Sequence, residues 1–220
     1  LSMKGSFELK SDSGYVRLNK LDLEGNEASL SLNGLIEEAG RFNGIARLQN
    51  LDLSEWILNT QKTGISGYLL LDGSFKEMFI TSLDLNADVS ESIRFNNEPS
   101  SFSGGISYSD SMLTIFNPVT LSIGKSLVAV EGYADYDNKL LNLNVDLTEA
   151  SSSLINYFWS DTLKGGKATG SMKINGAFDK TSLDADLVIN DFEYNDITLS
   201  NFELNAKIDD LSNHRTGVVK

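Results

Sequence analysis

Leu141-Asn142-Leu143-Asn144-Val145-Asp146-Leu147-Thr148 places an aliphatic side chain at every odd position and a polar one at every even position. Successive side chains of a pleated strand point to opposite faces, so this alternation builds a strand with one apolar and one wetted face. The same period of two recurs on either side of it. Leu83, Leu85, Ala87 and Val89 alternate with Ser82, Asp84, Asn86 and Asp88. Phe202, Leu204, Ala206 and Ile208 alternate with Glu203, Asn205, Lys207 and Asp209, and Leu183, Ala185, Leu187 and Ile189 follow the same rule. Turn-forming residues separate the runs at Gly25-Asn26, Ala39-Gly40, Gly124-Lys125, Asp137-Asn138, Asp179-Lys180 and Asn195-Asp196, which is the chemistry of hairpin connections. With 2 prolines against 18 glycines, long hydrogen-bonded ladders broken at glycine-bearing turns are expected. The spacing predicts roughly a dozen strands in an antiparallel meander. The fold class is all-β.

Two segments leave the alternation. Ser54 to Thr60 (SEWILNT) and Ser151 to Ser160 (SSSLINYFWS) cluster large apolar residues behind a serine able to cap a helix, which predicts two short helices. The chain also repeats itself at a period of about 100 residues, longer than the familiar solenoid periods. Leu21, Leu23, Leu30, Leu32 and Gly34 align without a gap on Val119, Leu121, Val128, Val130 and Gly132. Asp52-Leu53-Ser54-Glu55 matches Asp146-Leu147-Thr148-Glu149. Trp56, Gly67, Leu69, Leu71, Gly73 and Phe75 then fall on Trp159, Gly170, Met172, Ile174, Gly176 and Phe178, and Ser82-Leu83-Asp84 on Ser182-Leu183-Asp184. The expected organisation is two tandem β repeats, 1–100 and 101–220, continuous as one extended sheet. Gly67, Gly73, Gly170 and Gly176 lie in phase with the apolar side of their strands. A missing Cβ there permits either a bulge at a sheet corner or a curved trough that admits a ligand chain.

A chain of 220 residues can bury a sizeable core. Its 18 Lys+Arg against 31 Asp+Glu give a net charge of −13. So acidic a surface repels phosphate backbones and disfavours nucleic acid as a partner. Anionic membrane surfaces are disfavoured for the same reason, although an acidic chain can still hold lipid on an apolar face. The absence of cysteine removes thiol catalysis, thiolate metal sites and disulfides together. His214, the single histidine, leaves no material for a histidine triad or zinc site. No apolar run approaches the ~18 residues of a membrane-spanning helix. Leu1 opens the chain without a signal peptide and Val218-Val219-Lys220 ends it without a cap, so the expectation is a segment of a longer protein.

The local motifs carry no catalytic chemistry. Lys164-Gly165-Gly166-Lys167-Ala168-Thr169-Gly170 is followed by a strand pattern, whereas a phosphate loop must open a helix. Asp135, Asp137 and Asn138 lack the later glycine and glutamate of a calcium loop and read as a polar hairpin turn. Glu37-Glu38 and Asp209-Asp210 have no apolar surroundings to raise one carboxyl for acid catalysis. No catalytic residue, metal site or cofactor is expected, and the chain is read as non-enzymatic.

A strand ending in Asp-Leu, a short apolar helix, glycine-rich punctuation and another alternating strand is the pattern of Val145-Asp146-Leu147, Leu154 to Trp159, Gly166 to Phe178 and Leu183 to Ile189. The first copy runs from Leu51-Asp52-Leu53 to Val89. Together they make the chain resemble the bacterial AsmA/TamB-like superfamily over most of its length. The resemblance implies an elongated, curved antiparallel sheet, the β-taco, with an apolar concave face and a polar outside. It implies a periplasmic segment of an inner-membrane-anchored protein that conducts phospholipid acyl chains between the inner and outer membranes. A TamB-like role in outer-membrane protein assembly, with an outer-membrane barrel partner, is the alternative within the family. Membrane contact would come only through parts of the parent outside this segment. In the first repeat, the residues implied to line the groove are Leu69, Leu71, Leu83, Leu85 and Val89. In the second they are Val128, Val130, Leu141, Leu143, Val145, Met172, Ile174, Leu183, Leu187, Phe202 and Leu204. Trp56, Leu154, Phe158 and Trp159 are candidate groove caps, set against the reading that each tryptophan plugs its own core.

Physics supports such a conduit independently. A one-faced apolar sheet must close on itself, pair with a second sheet, or offer its face to lipid tails. The competitors are a structural or adhesin-like β-sandwich whose apolar faces bury each other, and an outer-membrane barrel, which lacks support because no aromatic girdles mark the strand ends.

Overall fold

A computed structural model of the protein describes residues 4–12, 14–24, 28–51, 64–77, 79–95, 98–152, 163–194, 197–211 and 217–219. The chain forms two compact units, Leu1–Asp110 and Ser111–Lys220. The first holds β1 (Lys4–Asp12), β2 (Tyr15–Glu24), β3 (Ser29–Glu37), β4 (Arg41–Leu51), β5 (Ile65–Lys76), β6 (Phe79–Phe95) and β7 (Glu98–Ser109). These pair in chain order and antiparallel throughout. Because β1 and β7 are not neighbours, the unit is an open meander rather than a closed barrel.

The second unit runs β8 (Met112–Ile123), β9 (Ser126–Asp135), β10 (Leu140–Ser151), β12 (Lys167–Ala177), β13 (Lys180–Asn190), β16 (Phe202–Ile208) and β17 (Gly217–Val219) in the same antiparallel manner. The short strands β11 (Leu163–Lys164), β14 (Phe192–Tyr194) and β15 (Ile197–Leu199) make a separate three-stranded sheet. The all-β expectation holds, but the described residues form seventeen strands where the spacing suggested a dozen. The surplus includes strands of two or three residues, too short to show a period, and β7, whose serines and glycines blur it.

The helix expected over Ser54 to Thr60 lies outside the described residues. Of the one expected over Ser151 to Ser160, only the first two residues are described, and Ser152 has helical backbone. Ser151 is the last residue of β10, held there because its amide donates to Ser126 Oγ at 2.9 Å. Residues 153–160 lie outside the described set, as do the turn pairs Gly25-Asn26 and Asn195-Asp196. Ala39-Gly40 and Gly124-Lys125 sit in turns as expected, with Gly40 at φ +82° and Gly124 at φ +59°.

Four bulges begin opposite a glycine. Leu18 faces Gly34 while Leu21 faces Leu32, and Leu48 faces Gly67 while Leu51 faces Ile65. In the second unit Ile115 faces Gly132 while Val119 faces Val130, and Leu147 faces Gly170 while Ala150 faces Ala168. Extra residues on one strand bend it and raise its local twist, and the facing glycine lets the next strand close in. Gly132 and Gly170, at φ +133° and +146°, hold a conformation closed to other residues. A Cβ at Gly132 would collide with the Asn142 carbonyl oxygen, and one at Gly170 with that of Asp186. The bulge reading of Gly67 and Gly170 is therefore the one observed. Gly73 instead lies under the ring of Phe42, whose Cζ would meet a Cβ at 2.6 Å.

Among the described residues the buried apolar ones are mostly small: Ala46, Ala87, Ala150, Ala168 and Ala185, with Ile65, Val89 and Ile123. Ile65 and Val89 pack with Leu48 and Phe102 in a minor core of the first unit.

Candidate functional site: the apolar face

Directly paired residues of neighbouring strands share a face, so the register assembles the apolar phases into rows. In the first unit one row is Leu21, Leu32, Ala46, Leu69, Ala87 and Gly104. The next is Leu18, Gly34, Gly44, Leu71, Leu85 and Ile106, and the third is Val16, Ile36, Phe42, Gly73, Leu83 and Tyr108. Val89 faces Phe102 on the same side. All five groove residues expected in this unit therefore share one face.

The second unit repeats the arrangement. Leu121, Val128, Leu147, Gly170, Leu187 and Leu204 form one row, and Val119, Val130, Val145, Met172, Ala185 and Ala206 the next. Ile115, Gly132, Leu143, Ile174, Leu183 and Ile208 follow. Leu141 pairs with Ala134 and Gly176 in a fourth row, and Phe202 pairs with Ile189. All eleven residues expected here lie on this face.

The expected lining residues of this face are chiefly intermediate in exposure. Val89 is buried at 5% and Phe202 exposed at 38%; the other fourteen are half-buried. Leucines at the centre of a sandwich would pack against a second sheet at interior density. Here the small residues are covered by their neighbours while the long side chains stand partly free.

The reverse face is chiefly polar. Asn43, Asp72, Asp84 and Ser107 form one of its rows, and Asn144, Lys173, Asp184 and Lys207 another, with Lys207 Nζ 3.8 Å from Asp184 Oδ1. It is not uniformly so, since Ile45 pairs with Leu70 there. Among the described residues two carboxyls, Asp22 and Asp135, have shifted acidity, and neither lies on the apolar face. A hydrogen bond from Lys20 first, and then one from Ser31, holds Asp22 below the ordinary aspartate range. The Asn138 side chain, followed by its backbone N–H, does the same for Asp135 at the β9–β10 turn. Among the described residues no group of three or more metal-ligating side chains converges, and no helix is long and apolar enough to cross a membrane.

Trp56, Leu154, Phe158 and Trp159, the candidate caps, lie outside the described residues. Sequence reasoning passed over Phe102, Ile106 and Tyr108 on β7 and Ile115 on β8, which share the lined face. Their signal was present as Phe102-Ser103-Gly104-Gly105-Ile106-Ser107-Tyr108, with glycines occupying both phases. On β8 the bulge at Phe116-Asn117-Pro118 breaks the count of two.

Compared with known families, residues 1–218 match the family described as TamB, N-terminal domain. No curated protein and no solved structure gives a match. Nearly the whole chain is covered by one profile, and the chain belongs to the TamB N-terminal domain family.

Proposed function

We propose that this chain is a non-enzymatic segment of a periplasm-spanning, inner-membrane-anchored protein, and that its apolar face conducts phospholipid acyl chains between the inner and outer membranes. One observation carries the reading: long aliphatic side chains from successive strands share one face, in rows that glycines and alanines interrupt, yet remain half-exposed. Each acyl CH₂ moved from water onto such a lining gains about 0.8 kcal/mol. Leucine, valine and isoleucine attract without direction, so a chain is held but not fixed and can slide. The acidic, asparagine-rich reverse face keeps the sheet hydrated.

The reading of two tandem repeats has support of the same kind. The bulge closing at Leu21 opposite Leu32 corresponds, through the residue alignment, to the bulge closing at Val119 opposite Val130. Gly67 and Gly170, also aligned, face the start of matching bulges whose extra residues, Asn50 and Glu149, take left-handed φ values of 52° and 49°. The match departs from the sequence alignment at one point. The bulges equate Leu48 with Leu147, whereas the Asp-Leu motif pairs Leu53 with Leu147.

Photocrosslinking in cells expressing the full-length parent tests the conduit. A crosslinker at Leu143, on the apolar face, is expected to capture phospholipid, and one at Asn144, on the reverse face, is not. Equal or absent capture at the two positions returns the leucine phase to ordinary packing and the chain to a scaffold.

A further inference from the structure

A diacyl lipid whose tails lie on an apolar sheet face must keep its phosphate in water, because burying an unpaired charge is prohibitively costly. The headgroup must then lie along a rim, where strands turn. An antiparallel meander has two rims, and alternate turns share one. In the first unit, the β1–β2, β3–β4 and β5–β6 turns share a rim. In the second, the β9–β10 and β12–β13 turns do, beside the start of β8.

These rims hold eight of the fourteen exposed large hydrophobics among the described residues: Val16, Ile36, Phe79 and Ile80 in one unit, Met112, Tyr136, Leu140 and Phe178 in the other. Phe79 is 76% exposed, Tyr136 52% and Phe178 40%. Each rim carries an aromatic pair bridging consecutive turns. Phe42 and Phe75 stack with centroids 6.3 Å apart, and Tyr136 meets Phe178 edge-to-face at 5.7 Å. Matching backbone bonds fasten the two pairs. The Phe75 amide donates to the Gly40 carbonyl at 2.7 Å, and the Phe178 amide to that of Lys139 at 2.9 Å. Exposed charges of both signs stand beside each pair: Glu38, Lys76 and Glu77 in the first unit, Asp137, Lys139 and Lys180 in the second.

Aromatic rings gather where apolar chains give way to headgroups, since one end of the ring prefers each side. Lysines suit a phosphate, while a carboxylate beside a ring face suits an ammonium. From these features we infer that the rim bearing the aromatic pair is the headgroup rim of each unit, and that it takes the zwitterionic, amine-bearing head of a phospholipid. A net charge of −13 works against a purely anionic head. This inference rests on the acyl-conduit reading above and adds to it the side on which the head lies and the headgroup class.

The test uses the purified full-length protein with an equimolar mixture of phosphatidylethanolamine and phosphatidylglycerol. Benzophenone side chains replace Phe178 and Phe79 on the proposed rims, Lys125 on the other rim of the second unit, and Leu143 on the apolar face. Fragmentation of the adducts locates the attachment on the lipid. Expected are tail adducts at Leu143 and head or glycerol adducts at Phe178 and Phe79, with phosphatidylethanolamine favoured several-fold there. Tail adducts at Leu143 with head adducts at Lys125 would overturn the rim assignment and leave the conduit standing. Equal capture of the two lipids at Phe178 and Phe79 would overturn the headgroup class. No lipid at Leu143 would remove the conduit, and this inference with it.

Discussion

Gly132 combines two demands that only a glycine satisfies: φ at +133° and a neighbouring carbonyl, that of Asn142, in the space a Cβ would fill. Gly132→Val should therefore lose at least ~2–3 kcal/mol, the combined effect of backbone strain and a forced strand separation. Urea unfolding reads this as a lower midpoint at unchanged slope. Gly14 is the control. Its φ of +85° is strained for alanine, but nothing lies within 4 Å of the added Cβ, so Gly14→Ala should cost only about 1–2 kcal/mol. A second residue sets a pH dependence. Asp135 is more acidic when folded, chiefly through the Asn138 side chain and then its amide. A depressed folded value adds stability above the unfolded value of 3.8, and that increment disappears as pH falls through the lower folded value. Wild type should exceed Asn138→Ala in urea midpoint at neutral pH, and the gap should narrow below 3.8. A gap that is constant with pH would mean the turn does not stabilise the carboxylate.

At the scale of elements, strands and their facing were legible from the period of two, as in β10 and β13, where Leu141, Leu143, Val145 and Leu147 share one face and Leu183, Ala185, Leu187 and Ile189 do the same. Boundaries and bulges were less so. Any of Ser151 to Ser153 could cap the helix expected over the apolar cluster, and Ser151 itself ends a strand. It is held there by Ser126, 25 positions earlier in the chain and only 2% exposed. Its hydroxyl accepts from the Ser151 amide at 2.9 Å and donates to Ser151 Oγ at 3.0 Å. Ser126→Ala removes both bonds and leaves a donor without its partner at a strand end, with an expected cost of about 1–3 kcal/mol. Amide exchange at Ser151 should accelerate in that variant while exchange at Leu143, mid-strand, stays slow. An unchanged rate at Ser151 would show that the β10 end is held by its ladder alone.

For the molecule as a whole, the issue is whether the apolar face is a core or a lining. Truncating a fully buried leucine to alanine costs about 2–5 kcal/mol, because a cavity remains. Leu143 is half-buried among Gly132, Ile174 and Leu183, so Leu143→Ala is expected to cost less than ~2 kcal/mol in the lipid-free protein. The same variant should bind an apolar fluorophore more weakly than wild type. A larger stability loss without a change in dye binding would point to the self-buried sandwich. The acidic surplus acts at this scale too. Asp72 directly faces Asp84 across β5 and β6, a like-charge pairing that destabilises the ladder slightly but keeps the reverse face wet.

The all-β class, the apolar side of each regular strand, the lack of thiol chemistry and the family resemblance were all legible in the amino-acid order. These follow from local periodicity and residue chemistry, which need no knowledge of neighbours. The folded chain was needed to show which apolar runs lie side by side, that four bulges open opposite glycines, and that Phe42 meets Phe75 and Tyr136 meets Phe178 near turns distant in sequence. Register is a property of pairs of strands, and one inserted residue reverses the facing of everything beyond it. The same holds for exposure. An aliphatic residue on an alternating strand reads alike whether a second sheet covers it or not, and its half-buried state emerges only when the surrounding chain is in place.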